Sequence, residues 1–391
     1  MLGPITQPST KQIMDVDGTL AAGAVDDSTV LANNVVTDAK LAADAKVGSL
    51  AALKTANKAS AVGAINELRQ TLLNAGNPFA VLEPPAGFAA AGWTPLTIYQ
   101  DAGGRASLGG VSLLDFAPNG AGAWYLDPAG NNADDGLTPA TARRGINYGV
   151  QLSNASAGGG TIWLADGVYA YPDSQLSLAF SRNIAVRAVN PGKAILSFHR
   201  SFSWALDGLY ANTYKAAHGL GSAQHYMVCD ALYKNALGDY QRLTKRTAIA
   251  DVDANPGSWY DDGTTVYVRL SDSRAPDANL RPFAGDATLA KISSGTPTVL
   301  FEGILFEGGA TCFTAQAAAG ATFPTVYFVN CAFKYAKSDG FSNVGADSFL
   351  QGCLGACCLG GDGLHYAERA TAIRQARGFE IDCVGRDNGD A

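Results

Sequence analysis

Apolar and polar residues alternate in short runs over much of this chain, and the runs recur. Gly160-Thr161-Ile162-Trp163-Leu164, Asn183 to Val189 and Ala194 to Phe198 each read as a short strand with one apolar face. Further on the pattern becomes a repeat: Phe328-Val329-Asn330-Cys331 returns as Leu350-Gln351-Gly352-Cys353 and as Glu380-Ile381-Asp382-Cys383, with Phe301-Glu302-Gly303-Ile304 as a looser first copy. The column Ile304, Cys331, Cys353, Cys383 advances by 27, 22 and 30 residues. Steps of that size predict one coil of a solenoid each, joined by loops of variable length. A second column, Asp339-Gly340-Phe341 and Asp362-Gly363-Leu364, rides on the first with a step of 23.

The pattern divides the chain. Residues 1–78 carry a low-complexity stretch, Asp26 to Lys46, and then a 3.6-period segment, Ser60 to Leu73. Its apolar stripe of Val62, Ile65, Leu68 and Leu72 suits either a coiled-coil-like bundle of several copies or a helix docked on the next domain. Residues 79–122 read as a neck or small β domain. Residues 123–159 read as an opening loop and a cap helix, with Ile146, Val150 and Leu152 on its apolar side. Residues 160–391 form the coils, interrupted at about 200–295 by an insertion containing a hairpin around Asp261-Asp262-Gly263. Alternation points Trp163 outward, between inward Ile162 and Leu164. No capping segment follows the last repeat, which predicts that the natural polypeptide continues past Ala391.

Composition narrows this. The chain has 391 residues, 45 of them glycine, and only 16% are charged. Much glycine and little charge fit stacked turns better than a helical enzyme. The net charge of −7 provides no basic stripe for phosphates, so no nucleic-acid partner is expected. Met1 to Val16 lacks the apolar core of a signal peptide, and no apolar run reaches the length needed for membrane insertion. The seven cysteines are read as thiols stacked inside the coil, since three share one repeat column and the C-x3-C-C spacing is not that of a zinc knuckle. No metal and no cofactor is expected. Asp127, Asn131 and Asp134 give a weak calcium option, against the commoner use of Asn and Asp in turns.

Several segments together resemble a known family. Val36-Thr37-Asp38-Ala39-Lys40-Leu41-Ala42 and Ala61 to Leu68 look like the virion-attachment regions of bacteriophage tail fibres and tailspikes. Tyr125 to Tyr169 is similar to the opening of tailspike and pectate-lyase-like proteins, and Pro256 to Leu270 resembles an insertion common in such β-helices. The resemblance implies a mostly β chain: a right-handed parallel β-helix behind a helical or extended attachment segment, assembled as a homotrimer. It implies docking of the N-terminus onto a phage tail tube or adaptor protein, synthesis in the host cytoplasm without a signal peptide, residence in the virion, and recognition of bacterial surface polysaccharide. Two alternatives stand beside it: a polysaccharide depolymerase, hydrolase or lyase, and a pectate-lyase-like enzyme unrelated to phage.

Chemistry is expected on the last coils. Carboxylates one coil apart lie about 5 Å from each other, near the separation in a retaining glycosidase. Asp339 and Asp362 occupy such positions, although an Asp-Gly pair also simply turns a strand. The catalytic candidates are Asp362, His365, Glu380 and Asp387; Tyr366 and Asp339 are candidates for substrate contact. His365 and Tyr366 are adjacent, so they face opposite sides of a strand and only one of them belongs to the core.

Overall fold

The computed structural model describes residues 112–389 except 119, 171–175, 178–179, 221–224, 286, 293–296, 317–323 and 368–375, together with three short strands nearer the N-terminus. Two compact units divide between Gly109 and Gly110. In the first, Ala80–Leu82, Ile98–Gln100 and Ala106–Ser107 form an antiparallel sheet. The expected helix with Val62, Ile65, Leu68 and Leu72 lies outside the described residues.

The second unit is a parallel β-helix with three sheets. Sheet A stacks Gly122–Leu126, Gly160–Leu164, Ile184–Ala188, Thr298–Glu302, Thr325–Val329, Asp347–Gln351 and Arg377–Ile381, each parallel to the last. Sheet B stacks Gly167–Tyr169, Ala194–Ser197, Ile304–Glu307, Ala332–Lys334, Leu354–Ala356 and Val384–Arg386. Sheet C stacks Leu176–Ser177, Ala290–Ile292, Phe313–Gln316, Phe341–Val344 and Leu364–Ala367.

The corners explain the repeat. Between sheets A and B the chain turns on one left-handed residue per coil: Gly303 (φ 68°), Asn330 (52°), Gly352 (64°) and Asp382 (51°). Glycine adopts this conformation freely, and Asn and Asp tolerate it best among the others. The next position is the column Ile304, Cys331, Cys353, Cys383, which stacks in register and faces the core. All seven cysteines are free thiols. A second left-handed column, Gly308, Tyr335, Cys357 and Asp387, turns sheet B towards sheet C.

The core is filed by sheet. Phe301 stacks on Phe328 at 5.2 Å, and Phe306 on Phe333 at 5.3 Å, with edge-on contacts between the files. Each fully buried ring contributes about 1.5–3 kcal/mol, so uniform stacking is the main driving force of the coil. Helix α1 (Ile146–Ala155) lays Ile146 and Val150 on the same core. Asn132 caps it, accepting from Arg144 N and Gly145 N at 2.9 Å each. Trp163 points outward and lies under Arg187 of the next coil, 6.0 Å away. Outside sheet A, Tyr327 stacks between Phe349 and Phe116, and Leu113 N donates to Gln351 Oε1 at 2.8 Å. Sheet A is thereby covered on its outer face too.

Between Ser197 and Ala290 the chain leaves the second coil. This excursion folds into a five-stranded sheet (Ala205–Leu206, Tyr214–Ala217, Thr265–Arg269, Ser258–Asp261, Thr244–Lys245) and a three-stranded one (Tyr240–Arg242, His225–Lys234, Leu280–Ala284). Trp259, Val266, Val268 and Leu270 make its own core. A second cluster joins Met227, Cys229 and Phe283 of the excursion to Tyr335, Ala356 and Cys357 of the coils. Among the described residues no helix is long and apolar enough to cross a membrane.

Candidate functional site

The Asp-Gly column places two carboxylates on successive coils where sheet B turns into sheet C. Phe341 and Leu364 pair in register, so Asp339 and Asp362 occupy equivalent places. Asp339 Oδ1 accepts the backbone N–H of Asp362 at 3.1 Å, which spends part of it on holding the next coil. Asp362 Oδ2 meets His365 Nδ1 at 2.9 Å, and donor atoms of all three side chains lie within 4.8 Å of one another. The Asp362 side chain is 68% exposed and His365 35%. His365 faces outward, in file with Ser342, Thr314 and Lys291. A carboxylate that orients an imidazole in contact with solvent is a competent acid–base pair.

The other candidates do not join it. Tyr366 takes the inward side of the strand, in file with Asn343, Ala315 and Ile292. Its ring stands edge-on to Phe341 at 6.1 Å and occupies the space a side chain at Gly378 would need. Tyr366 as a whole stays exposed, but packing around its hydroxyl and the neighbouring Glu380 carboxylate push that hydroxyl far above the usual tyrosine range. Glu380 is in register with Leu350 and Phe328, core positions, so it also belongs to the inner face. Strand parity therefore separates Glu380 and Tyr366 from His365. Asp387 sits on the left-handed corner and pairs with Arg386 Nη1 at 2.7 Å. The expected quartet is thus divided among three places.

The calcium option meets a similar fate. Asp127 Oδ1 accepts from Ala129 N at 2.7 Å and Asn131 Oδ1 from Ala133 N at 3.1 Å, so each closes a turn on its own backbone. Asp134 closes the turn that Asn131 begins, its N–H donating to Asn131 O at 3.0 Å.

A site that the repeat did not announce lies where the excursion meets the side of sheet B. A cleft of about 520 Å³ is lined by His199, Arg200, Phe202, Trp204, Asp277 and Arg281, with Val168 of the first coil at its edge. Phe202 and Trp204 are two residues apart and meet edge-to-face at 5.9 Å. Burial, helped by the Arg281 charge, pushes the His199 imidazole down to about 3, so it is neutral at ordinary pH. Its Nδ1 lies 2.6 Å from Ser197 Oγ. Behind the cleft Arg281 stands 3.3 Å from Glu307, whose complete burial raises its pKa against the pull of that arginine. The one hint in sequence was the period-two aromatic pair Phe202 and Trp204, a short way beyond the strand Ala194–Ser197.

No family description and no curated protein matches the chain. Among solved structures it is similar to a glycoside hydrolase, with 13% identity over 69% of this chain and 74% of that one and a TM-score of 0.45. It is also similar to XylC in complex with xylose (12% identity, 61% and 59% covered, TM-score 0.33) and to a pectate lyase (14%, 63% and 55%, TM-score 0.26). The likeness is one of fold.

Proposed function

We propose that this chain is a polysaccharide-binding β-helix of the tailspike kind, and that it holds bacterial surface glycan in the cleft between the excursion and sheet B. The cleft carries the reading. It pairs aromatic faces, Phe202 and Trp204, with fixed charged and polar groups, Arg200, Asp277 and Arg281. Apolar walls with a few convergent polar groups are what a sugar ring, apolar on its face and hydroxylated at its rim, requires. In this reading the chain is a homotrimer, residues 1–78 anchor it to a phage tail tube or adaptor, and it is displayed on the virion.

Affinity electrophoresis against a panel of capsular and lipopolysaccharide glycans tests it. The intact protein is retarded by its cognate glycan, and Trp204→Ala weakens binding about tenfold, the loss of one aromatic contact of about 1.4 kcal/mol. Unaltered retardation of Trp204→Ala removes the cleft from the reading.

The solvent-open Asp362–His365 pair favours a second reading, in which the protein also cleaves the polymer. Fragments in the digest that disappear in both Asp362→Asn and His365→Ala, with retardation unchanged, establish it. A new unsaturated, ultraviolet-absorbing product would mark a lyase, in which a general base abstracts a proton next to a carboxylate.

A further inference from the structure

A second cavity, of about 500 Å³, opens on the excursion, lined by Tyr233, Lys234, Tyr240, Gln241, Ser271 and Asp272. The first four come from two strands of the three-stranded sheet, His225–Lys234 and Tyr240–Arg242. The third strand of that sheet, Leu280–Ala284, carries Leu280 and Arg281 into the lining of the cleft. Register joins the two hollows: Gln241 pairs with Asp230, and Asp230 pairs with Leu280. Paired residues share a sheet face and neighbouring strands lie about 4.8 Å apart, so Gln241 and Leu280 stand roughly 10 Å from each other.

One segment walls both hollows. Ser271 and Asp272 line the second cavity, and Pro276, Asp277 and Ala278 line the cleft. Arg274, between them, fixes the segment over the shared sheet. Its Nη2 donates to Asp230 Oδ1 at 2.8 Å and its Nη1 to both oxygens of Asp272 at 3.1 Å, while Nε stands 3.6 Å from Asp277 Oδ2. The same guanidinium lies over the Tyr233 ring, 5.7 Å away, and the Tyr233 hydroxyl donates to Asp272 Oδ2 at 2.9 Å. Tyr233 is nevertheless 41% exposed. A tether accounts for its hydroxyl and for the ring face under Arg274, but not for a rigidly held aromatic ring kept open to solvent at a cavity. A ring already fixed in place gives up little entropy when a ligand lies on it.

We propose that the second cavity binds a further stretch of the same polysaccharide chain that occupies the cleft, the glycan crossing the Arg274 segment between Trp204 and Tyr233. The inference rests on the glycan reading of the cleft. Both hollows offer the same chemistry: aromatic faces, Phe202 with Trp204 in one and Tyr233 in the other, beside groups that bond sugar hydroxyls. In the second cavity those groups are the Gln241 amide, the Ser271 hydroxyl and the Lys234 ammonium. A single sugar fills one hollow, whereas an oligosaccharide long enough to cross the segment reaches both. The two contacts then act as one bivalent site, and affinity climbs once the ligand spans them. The site thereby selects polymer over monosaccharide.

The test uses the full chain and the glycan that retards it in affinity electrophoresis, cut by partial acid hydrolysis into a size ladder and titrated by calorimetry. Wild-type affinity is expected to rise with fragment length. Tyr233→Ala weakens binding of the longest fragments about tenfold, the loss of one aromatic contact, and leaves the shortest unchanged. Trp204→Ala weakens short and long fragments alike. Tyr233→Ala that matches the wild type at every length, or is weaker by one factor at every length, overturns the second cavity and leaves the cleft reading standing. Failure of every glycan to retard the intact protein overturns both. Should Tyr233→Ala not fold, hydrogen exchange of the wild type decides it: the longest fragments protect Tyr233 to Gln241 as well as His199 to Trp204, the shortest only the latter. Protection confined to His199 to Trp204 at every length defeats the proposal.

Discussion

Arg386 lays both terminal guanidinium nitrogens on the carboxylate of Asp239, at 2.6 and 2.8 Å, across 147 residues of sequence. Lys334, two coils earlier on the same outer file of sheet B, reaches the same carboxylate at 2.8 Å. The tip of the excursion is thereby bound at once to the coils that contribute Ala332–Lys334 and Val384–Arg386 to sheet B. Burial opposes the Asp239 charge, but the hydrogen bonds from Arg386 and Lys334 outweigh it and hold the carboxyl well below the ordinary range. Its folded pKa is depressed, so its contribution is full above the unfolded value of about 4 and fades as pH falls below it. Asp239→Asn is expected to cost about 3–5 kcal/mol at pH 7, as for other broken buried pairs. It should also flatten the acid limb of stability, read by urea unfolding across pH.

His199 gives a second acid-sensitive term. Its folded pKa is depressed to about 3 by burial and Arg281, so between there and about 6.5 the unfolded chain binds a proton that the folded chain does not. Stability from this group is present above about 6.5 and falls with decreasing pH. His199→Gln removes that slope; an unchanged profile between pH 6.5 and 4 would mean the ring is accessible to protons in the fold.

The corner column sets its own substitution rules. Asn330→Gly is expected to be nearly neutral, whereas Asn330→Val places a β-branched residue at φ 52° and costs about 1–2 kcal/mol. Gly303→Ala should cost more, because its Cβ would sit 2.9 Å from Pro191 Cα as well as at φ 68°. Guanidinium melts of the three variants check the order.

The buried thiols should be inert in the native protein. Burial pushes Cys331 up to about 12 and Cys353 well above its usual value, and the thiolate is the reactive form. Iodoacetamide labelling followed by peptide mass mapping is expected to modify the half-buried Cys383 first and Cys331 only on unfolding. Early labelling of Cys331 would contradict the closed coil.

What the sequence disclosed follows from what each feature needs locally. A coil corner demands Gly, Asn or Asp at one position and a small buried residue at the next, so Gly303, Asn330, Gly352 and Asp382 with their following column were visible as a repeat. Alternation also showed that His365 and Tyr366 part company, though only the register with Asn343 fixes Tyr366 as the inward one. Acidity misled at Glu380: a carboxylate reads as outward, yet it is in register with Leu350. The cleft and the second cavity were not legible, because their residues meet across an excursion with no period. Nothing beside Asp230 in the sequence shows that Gln241 and Leu280 flank it from other strands.

The excursion departs from the second coil and returns to it without disturbing the stack: Ser177, Lys291 and Thr314 remain neighbours in one unbroken file. On the proposed reading, load-carrying and glycan binding are therefore written in separate stretches of the polypeptide. If that reading holds, mutation can rework the body between Ser197 and Ala290 and alter the glycan bound, while the file of Ser177, Lys291 and Thr314 keeps its spacing. Such a division lets a molecule follow a changing target without rebuilding its frame.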